Sequence, residues 1–427
     1  MKIQSYRSLS LLILGLGFLS FHTYKTQVNT ISQGKGWYSN IINILTYFPR
    51  NLKALSNKDN LSSKSDVFVK VDPNFEGVNK LEKDLFLLGG NWKEEEGWTV
   101  ELKNLKSSEI LKSWQVKEEN YNQEKSPRLY PNAEVSNPIL LKDSNLIVGQ
   151  IGSFNLFKLN SNSEVVWENH DYYIHHAMNL DADGNIWVCS RKSEAQAILG
   201  NGTITKPYID DLLVLVNQKD GKVIFEKSVI EILRENNLSS YALGMNGTID
   251  GIASKYDPIH LNDIEPDLKT GNVWLSFRNT STIMLYNPSG NKILRVISGD
   301  LIHQHDVDII NDSVISVFNN NSITGLISDV KLGLRIDSLP SSQVVLIDLK
   351  SGEFWGKRAI RNVYTGTEGL SEYLGGDLWF IEEQNRGKIH VFDSSGIVYS
   401  NYYEREGNYT ELPHWSRVYK DLNFLDD

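Results

Sequence analysis

The chain is expected to be all-β, a six-bladed β-propeller behind an N-terminal signal or anchor segment. Three observations carry that expectation. A Gly/Asn turn followed by a Trp-containing strand recurs along the sequence. A second phrase follows it, an apolar strand, a turn with Asp or Asn and then Gly, and another strand. Helical periodicity is scarce after about Asp84, with Val229–Asn236 at most a short helix.

The elements follow in order. Lys2 and Arg7 precede an apolar run, Ser8 to Phe21, which is the pattern of a basic region followed by a hydrophobic one in an export signal. The run is short for a membrane span, which needs roughly 20 residues. No clear Ala-x-Ala site follows it, so residues 1–24 are read as a signal peptide or a retained membrane anchor. Either way the basic flank stays inside and the remainder is exported, to the periplasm. Residues 25–83 form a linker or N-terminal extension whose first part is rich in Asn, Ser and Lys; Ser56–Asp66 is at most a short helix. The propeller domain spans 84–427.

Within that domain the first phrase appears as Asp183-Gly184-Asn185-Ile186-Trp187, Thr270-Gly271-Asn272-Val273-Trp274 and Gly375-Gly376-Asp377-Leu378-Trp379. The second appears from Leu213 to Phe225, from Ile283 to Gly290, from Val345 to Trp355 and from Ile389 to Tyr399. Each pair of phrases makes about four antiparallel strands, one propeller blade. Blades are placed near 137–170, 174–229, 258–298, 303–359 and 366–402. A sixth contains Trp98 and Trp114 and is closed by Trp415–Tyr419, which removes the free sheet edges.

Composition narrows the function. A net charge of −10 argues against nucleic acid as a partner, because a phosphate backbone needs a basic footprint. It leaves room for a local Arg/His pocket that takes a small anion. The single cysteine, Cys189, excludes an intrachain disulfide and a Cys-rich metal site, and reads as a small buried apolar residue. Asp181-Ala182-Asp183-Gly184-Asn185 resembles the start of a calcium loop but has Lys192 where the twelfth-position Glu belongs, so it reads as a tight turn. No cofactor motif stands out.

Aligning the repeats on the turn glycine gives a sharper signal. His176 lies eight residues before Gly184, Glu368 eight before Gly376, and His305 eight before Ser313, while His260 precedes Gly271 by eleven. One point in four successive blades thus carries His, His, His and Glu, where the innermost strand opens onto the channel. Three imidazoles and a carboxylate suggest a metal first. Arg278, which follows the next strand, would be repelled by a cation and offers a planar fork to a tetrahedral oxyanion, which favours sulfate or phosphate.

At this point the chain resembles the bacterial arylsulfotransferases that need no nucleotide sulfate donor. The matching stretches are Gly97-Trp98-Thr99-Val100 with Ser113-Trp114, Ile174-His175-His176 through Asn185, Asp257-Pro258-Ile259-His260-Leu261-Asn262, Ser276-Phe277-Arg278-Asn279, Gln304-His305-Asp306 through Asn320, Thr367-Glu368-Gly369 and Glu382-Glu383-Gln384-Asn385. The resemblance implies a six-bladed propeller that moves a sulfuryl group from a phenolic sulfate ester to another phenol. By motif, His305 would be the nucleophile that becomes a sulfohistidine, with His260, Arg278 and His176 around the transferring group. Asn262, His175 and Glu368 would bind substrate, the spacing favouring His176 over His175 as the inward-facing imidazole. Asp306 or a backbone carbonyl would fix the His305 tautomer, Arg278 and a protonated His260 would hold the sulfuryl oxygens, and another His or Glu368 would handle the phenol proton. Two other classes compete: a metal-dependent lyase or hydrolase using His176, His260, His305 and Glu368, and a non-catalytic exported propeller that binds glycans or proteins.

Overall fold

A run of antiparallel sheets follows the chain from Phe86 to Tyr419. The computed structural model describes residues 68–121, 133–195, 198–199, 202–203, 208–243, 257–322, 341–359 and 363–425. The expected signal or anchor segment and the possible helix at Ser56–Asp66 lie outside the described residues. Among the described residues there are five four-stranded sheets and one of five strands. The first joins Phe86–Lys93, Gly97–Asn104 and Ile110–Val116 to the C-terminal strand Arg417–Tyr419. The second covers 135–169, the third 174–228, the fourth 261–298, the fifth 305–359 and the sixth 370–402. Val78–Asn79 pairs along the outer edge of the sixth. These sheets begin and end within a few residues of the stretches expected from the repeat.

Strand-forming residues and Asx turns explain the regularity. Asp181 Oδ1 accepts the backbone N–H groups of Asp183 and Asn185 at 2.9 and 2.7 Å, and Gly184 takes φ +79°. The calcium-like stretch is therefore a tight turn, as its composition suggests. Asp267 and Asp348 repeat the device before Gly271 and Gly352. Alternating apolar residues then fill the space between sheets, with Trp98, Trp114, Phe277, Phe318 and Phe380 fully buried. Val229–Glu235 is a short helix capped by Ser228, whose hydroxyl accepts the Glu231 N–H.

The leading strands of successive sheets touch in chain order. Each has a left-handed residue within its first three positions or just before it. Asn137, His176, His260, Asp306, Glu368 and Trp415 all sit there with φ between +53° and +60°. A left-handed residue disrupts the pairing register and frees a backbone N–H, which must find another partner when buried. In four of the six a carboxylate from the preceding sheet supplies it. Asp211 accepts from Leu261 N at 3.0 Å, Asp263 from Val307 N at 2.7 Å, Asp306 from Ser371 N at 2.7 Å, and Glu382 from Trp415 N and Ser416 N at 3.0 and 2.8 Å. Last to first is joined by Arg417–Tyr419 pairing with Phe86–Leu88. Arg417 also reaches Asn137 Oδ1 at 2.6 Å and Asn179 Oδ1 at 3.1 Å in the second and third sheets.

This geometry corrects the spacing alignment. In the fifth sheet the left-handed residue is Asp306, not His305. His305 stands one residue earlier, paired with Phe318. Counting back from the turn cannot detect a bulge, which adds a residue without changing composition.

Candidate active site

Three of the four aligned residues meet at the mouth of these leading strands. The His176 ring lies 5.1 Å from that of His260 and 5.5 Å from that of His305, and His175 packs 3.9 Å from His176 and 4.9 Å from His260. Both members of the His175-His176 pair therefore belong to the cluster. Left-handed backbone at His176 and His260 turns each side chain toward the shared space instead of along its own sheet. Trp415, at the equivalent point of the closing strand, adds an aromatic wall 6.0 Å from His176 and 6.4 Å from His305.

His305 is fully buried and its two nitrogens have unlike surroundings. Nδ1 lies 2.6 Å from Asn320 Oδ1. The orientation of the amide is fixed in turn, because Asn320 Nδ2 donates to the carbonyls of Glu368 at 2.6 Å and Thr365 at 3.1 Å. Oδ1 must then face the ring as an acceptor, so Nδ1 carries the proton and Nε2 keeps its lone pair. Nε2 is buried and has no hydrogen-bond partner among the described residues. Burial, then the charge of Arg278, holds the His305 pKa well below the ordinary histidine value, so the lone pair persists in the resting site.

The second arm of the site is an Asp–His pair. His260 Nδ1 lies 2.6 Å from Asp257 Oδ2, and its Nε2 is 3.0 Å from His176 Nε2. Burial pushes the Asp257 carboxyl up, but His260, Arg191 and Arg278 outweigh it and hold the group at about 2. Burial lowers the His260 pKa and Asp257 opposes the shift, so the net displacement is downward. Burial and the two guanidinium groups thus disfavour the protonated His260 that was expected, while Asp257 favours it. With Nδ1–H donating to Asp257, neutral His260 accepts at Nε2 from His176 Nε2–H, and His176 Nδ1 is left without a partner among the described residues.

Arg278 follows the strand Val273–Phe277 and donates from its backbone N–H to the His260 carbonyl at 3.0 Å. Its guanidinium charge lowers the pKa of His176, His260 and His305, and takes part with burial in pulling His303 down to about 4.

Two expected substrate contacts have other partners. Asn262 is buried and donates to the Gln304 carbonyl at 2.8 Å, which braces the loop before His305. The Glu368 carboxylate lies 3.9 Å from His414 Nδ1, while its backbone carbonyl anchors Asn320. Asp306, the other expected orienter of His305, is turned to Ser371 N, and Asn320 does that work. An adjacent residue on a strand faces the opposite side, whereas Asn320 returns to the ring from the end of the neighbouring strand.

Several contributors are not named by the spacing. Asn320 lies in the motif after Phe318, and Asp257 lies three residues before His260, so both stand near a visible signal. Arg191 and Trp415 give none beyond a polar or aromatic residue in or beside a strand. His414 pairs with Glu134 at 2.9 Å.

His175, His176 and His260 bring ligand nitrogens within 4.8 Å of one another, close enough to consider a metal. The surroundings fit an anion better. The Arg191 guanidinium sits against His175 Nε2, His176 Nε2 faces His260 Nε2, and Arg278 adds a second positive charge. A divalent cation would have to displace one guanidinium and bind beside the other.

The family model described as Arylsulfotransferase (ASST) matches residues 137–405, which include every histidine of the cluster. No curated protein matches the chain. Among solved structures, it is similar to a protein of unknown function from Bacteroides caccae at 12% identity and TM-score 0.48, covering 80% of this chain and 100% of that one. It is also similar to a catalytically inactive virginiamycin B lyase from Staphylococcus aureus bound to quinupristin at 13% identity and TM-score 0.39, covering 81% and 88%. The C-terminal WD40 domain of Sif2 gives 12% identity and TM-score 0.41, with 80% and 91% covered.

Proposed function

This chain belongs to the arylsulfotransferase family, and from that premise we propose that it moves a sulfuryl group from an aryl sulfate ester to a phenolic acceptor through a sulfohistidine on His305. The observation that carries the reading is the Nε2 of His305, buried without a hydrogen-bond partner among the described residues, with its lone pair fixed by the Asn320 contact at Nδ1.

Sulfuryl transfer, like phosphoryl transfer, passes a trigonal group between in-line partners, so catalysis rests on positioning and charge stabilisation. His305 Nε2 attacks sulfur and the bond from sulfur to the aryl oxygen breaks. The departing phenolate takes a proton from His260 Nε2, which picks it up from solvent when the negative charge of the bound donor offsets the two guanidinium groups beside it. Arg278 holds the sulfuryl oxygens and Asn320 accepts from Nδ1–H of the sulfated imidazolium. After the first phenol leaves, the acceptor phenol gives its proton to His260 Nε2 and attacks sulfur, which releases His305. Over the cycle the acceptor's proton ends on the donor's phenol, and the alternation makes the kinetics ping-pong. Trp415 supplies an apolar wall for both aryl groups.

The succession of six sheets, with Arg417–Tyr419 completing the first, supports a six-bladed propeller. The basic and apolar N-terminal pattern supports export to the periplasm, as a cleaved signal or a retained anchor.

Intact mass after mixing with p-nitrophenyl sulfate and no acceptor tests the mechanism. The wild-type chain gains one SO3 group and the His305→Ala variant gains none. An equal adduct in that variant would sink the assignment.

A further inference from the structure

Behind the histidines lies a guanidinium that the transfer mechanism does not use. Arg191 stands on the second strand of the third sheet, Ile186–Ala195, opposite Asp211. Its side chain is only 11% exposed. One end abuts His175 Nε2. The same guanidinium lies 3.8 Å from Asp257 Oδ2 and 3.7 Å from Asp211 Oδ1. Arg191 therefore touches the imidazole stacked on His176 and the carboxylate bonded to His260.

We propose that Arg191 is a positioning residue, which fixes the proton arrangement of the His175, His176, His260 and Asp257 group without touching the transferred sulfuryl group. The proposal rests on the sulfuryl-transfer reading for its kinetic consequence, and on geometry alone for its structural one. A guanidinium has donors only, so His175 Nε2 against it must be the acceptor and the proton resides on Nδ1. The same cation beside Asp257 keeps that carboxylate ionised as the acceptor for His260 Nδ1–H. With Nδ1 protonated, His260 presents Nε2 to His176 and to the phenol oxygen. Nη2 faces both His175 and Asp257 while Nε lies toward Asp211, and a lysine ammonium does not reproduce that three-way reach.

His260 is faced by Asp257 on its own loop, Arg191 and His175 and His176 from the third sheet, Arg278 from the end of the next strand, and His303 and His305 from the fifth-sheet approach. Arg191 is one of two positive charges acting on it, and Asp211 faces Arg191 from behind. Both guanidiniums disfavour the imidazolium, so removing Arg191 makes His260 easier to protonate.

The test compares Arg191→Gln, Arg191→Lys and Arg278→Gln in the full chain with p-nitrophenyl sulfate. Imidazole 15N shifts of selectively labelled histidine, followed across pH, give a readout independent of turnover. In R191Q the His260 titration and the pH limb of kcat move upward together, kcat falls by roughly 10–100-fold as for other orienting groups, and donor KM stays within about twofold. R191K retains the charge and leaves the His260 titration in place, but its kcat is reduced. R278Q raises donor KM instead. An unmoved His260 titration in R191Q overturns the proposal, as does a donor KM raised as much as in R278Q, which would make Arg191 a direct substrate contact. If R191Q does not fold, a wild-type kcat in R191K overturns it. Absence of a His305 adduct in the wild-type chain defeats the transfer reading instead, while the 15N titration still decides the role of Arg191.

Discussion

His305 Nδ1 is bonded at 2.6 Å to Asn320 Oδ1, and the amide of Asn320 is itself pinned by the carbonyls of Thr365 and Glu368. The proposed nucleophile is thus oriented by a residue fifteen positions along the chain, which is held in turn by the approach to the next sheet. Removing the acceptor frees the ring to rotate and to place its proton on Nε2. We expect Asn320→Ala to slow donor-only sulfation by about 10–100-fold with little change in donor KM, since orienting groups act on the reacting atom and not on binding. Rapid mixing with p-nitrophenyl sulfate measures both. An unchanged sulfation rate would leave Asn320 with a purely structural role.

Arg278 has the opposite signature. In the proposed transfer it meets charge that the donor carries from the start, so Arg278→Gln is expected to weaken donor binding as well as transfer. Losing a hydrogen bond to a charged group costs roughly 1.5–3 kcal/mol, which corresponds to about 10–100-fold in kcat/KM at 1.4 kcal/mol per tenfold. Steady-state kinetics with a series of aryl sulfates checks this. A drop in kcat alone would place Arg278 on the transition state only.

The pH dependence of stability has two limbs of opposite sign. Burial lowers the pKa of His175, His176 and His305 well below the ordinary 6.5, and that of His260 to a lesser extent. As pH falls below about 6.5 the unfolded chain takes up protons that the native cluster refuses, so these groups reduce stability on the acid side. His414 behaves inversely. Burial pulls it down, but Glu134, with help from Glu368 and Glu382, raises it to about 9. Its contribution is fully present below 6.5 and is lost as pH rises through about 9. Urea midpoints from pH 5 to 10 should show a decline at each end, and His414→Gln should flatten its share of the alkaline decline while lowering the midpoint at pH 7. An alkaline decline untouched in that variant refutes the His414 assignment.

The sheets are legible in sequence because their causes are local. Strand alternation and Asx–Gly turns such as Asp181–Asn185 act over a few residues and recur. The convergence of His176, His260 and His305 is legible at one remove, since repetition of a strand start around a ring brings those starts together. What escapes is set by partners on different sheets. Arg191 meets Asp257 across sixty-six positions, and Trp415 joins the histidines only because the C-terminal strand returns to the first sheet. The orienter of His305, expected to be Asp306 or a backbone carbonyl, escapes for the same reason: Asp306 is turned to Ser371 by strand alternation and by a left-handed backbone, and Asn320 meets the ring instead. Glu368 shares its left-handed backbone with His176 and His260, yet its carboxylate lies 3.9 Å from His414, so position alone does not dictate contact.

The last expectation concerns the phenol proton. Asp257 is the partner of His260 at 2.6 Å, and its charge opposes the loss of basicity that burial imposes on the imidazole. Asp257→Asn keeps the shape and removes the charge, so His260 becomes a weaker base and a less available proton carrier. A good leaving group such as p-nitrophenolate departs without much help, whereas an unsubstituted phenolate needs the proton as the bond to sulfur breaks. The variant should therefore lose little rate with p-nitrophenyl sulfate and much more with phenyl sulfate, giving a steeper dependence of kcat on leaving-group pKa. Acceptors of high pKa should suffer in the same proportion, because the second half-reaction asks the same pair to take the proton back. If the D257N variant slows all donors by one common factor, His260 is not the group that carries the proton, and Asp257 serves only to brace the cluster.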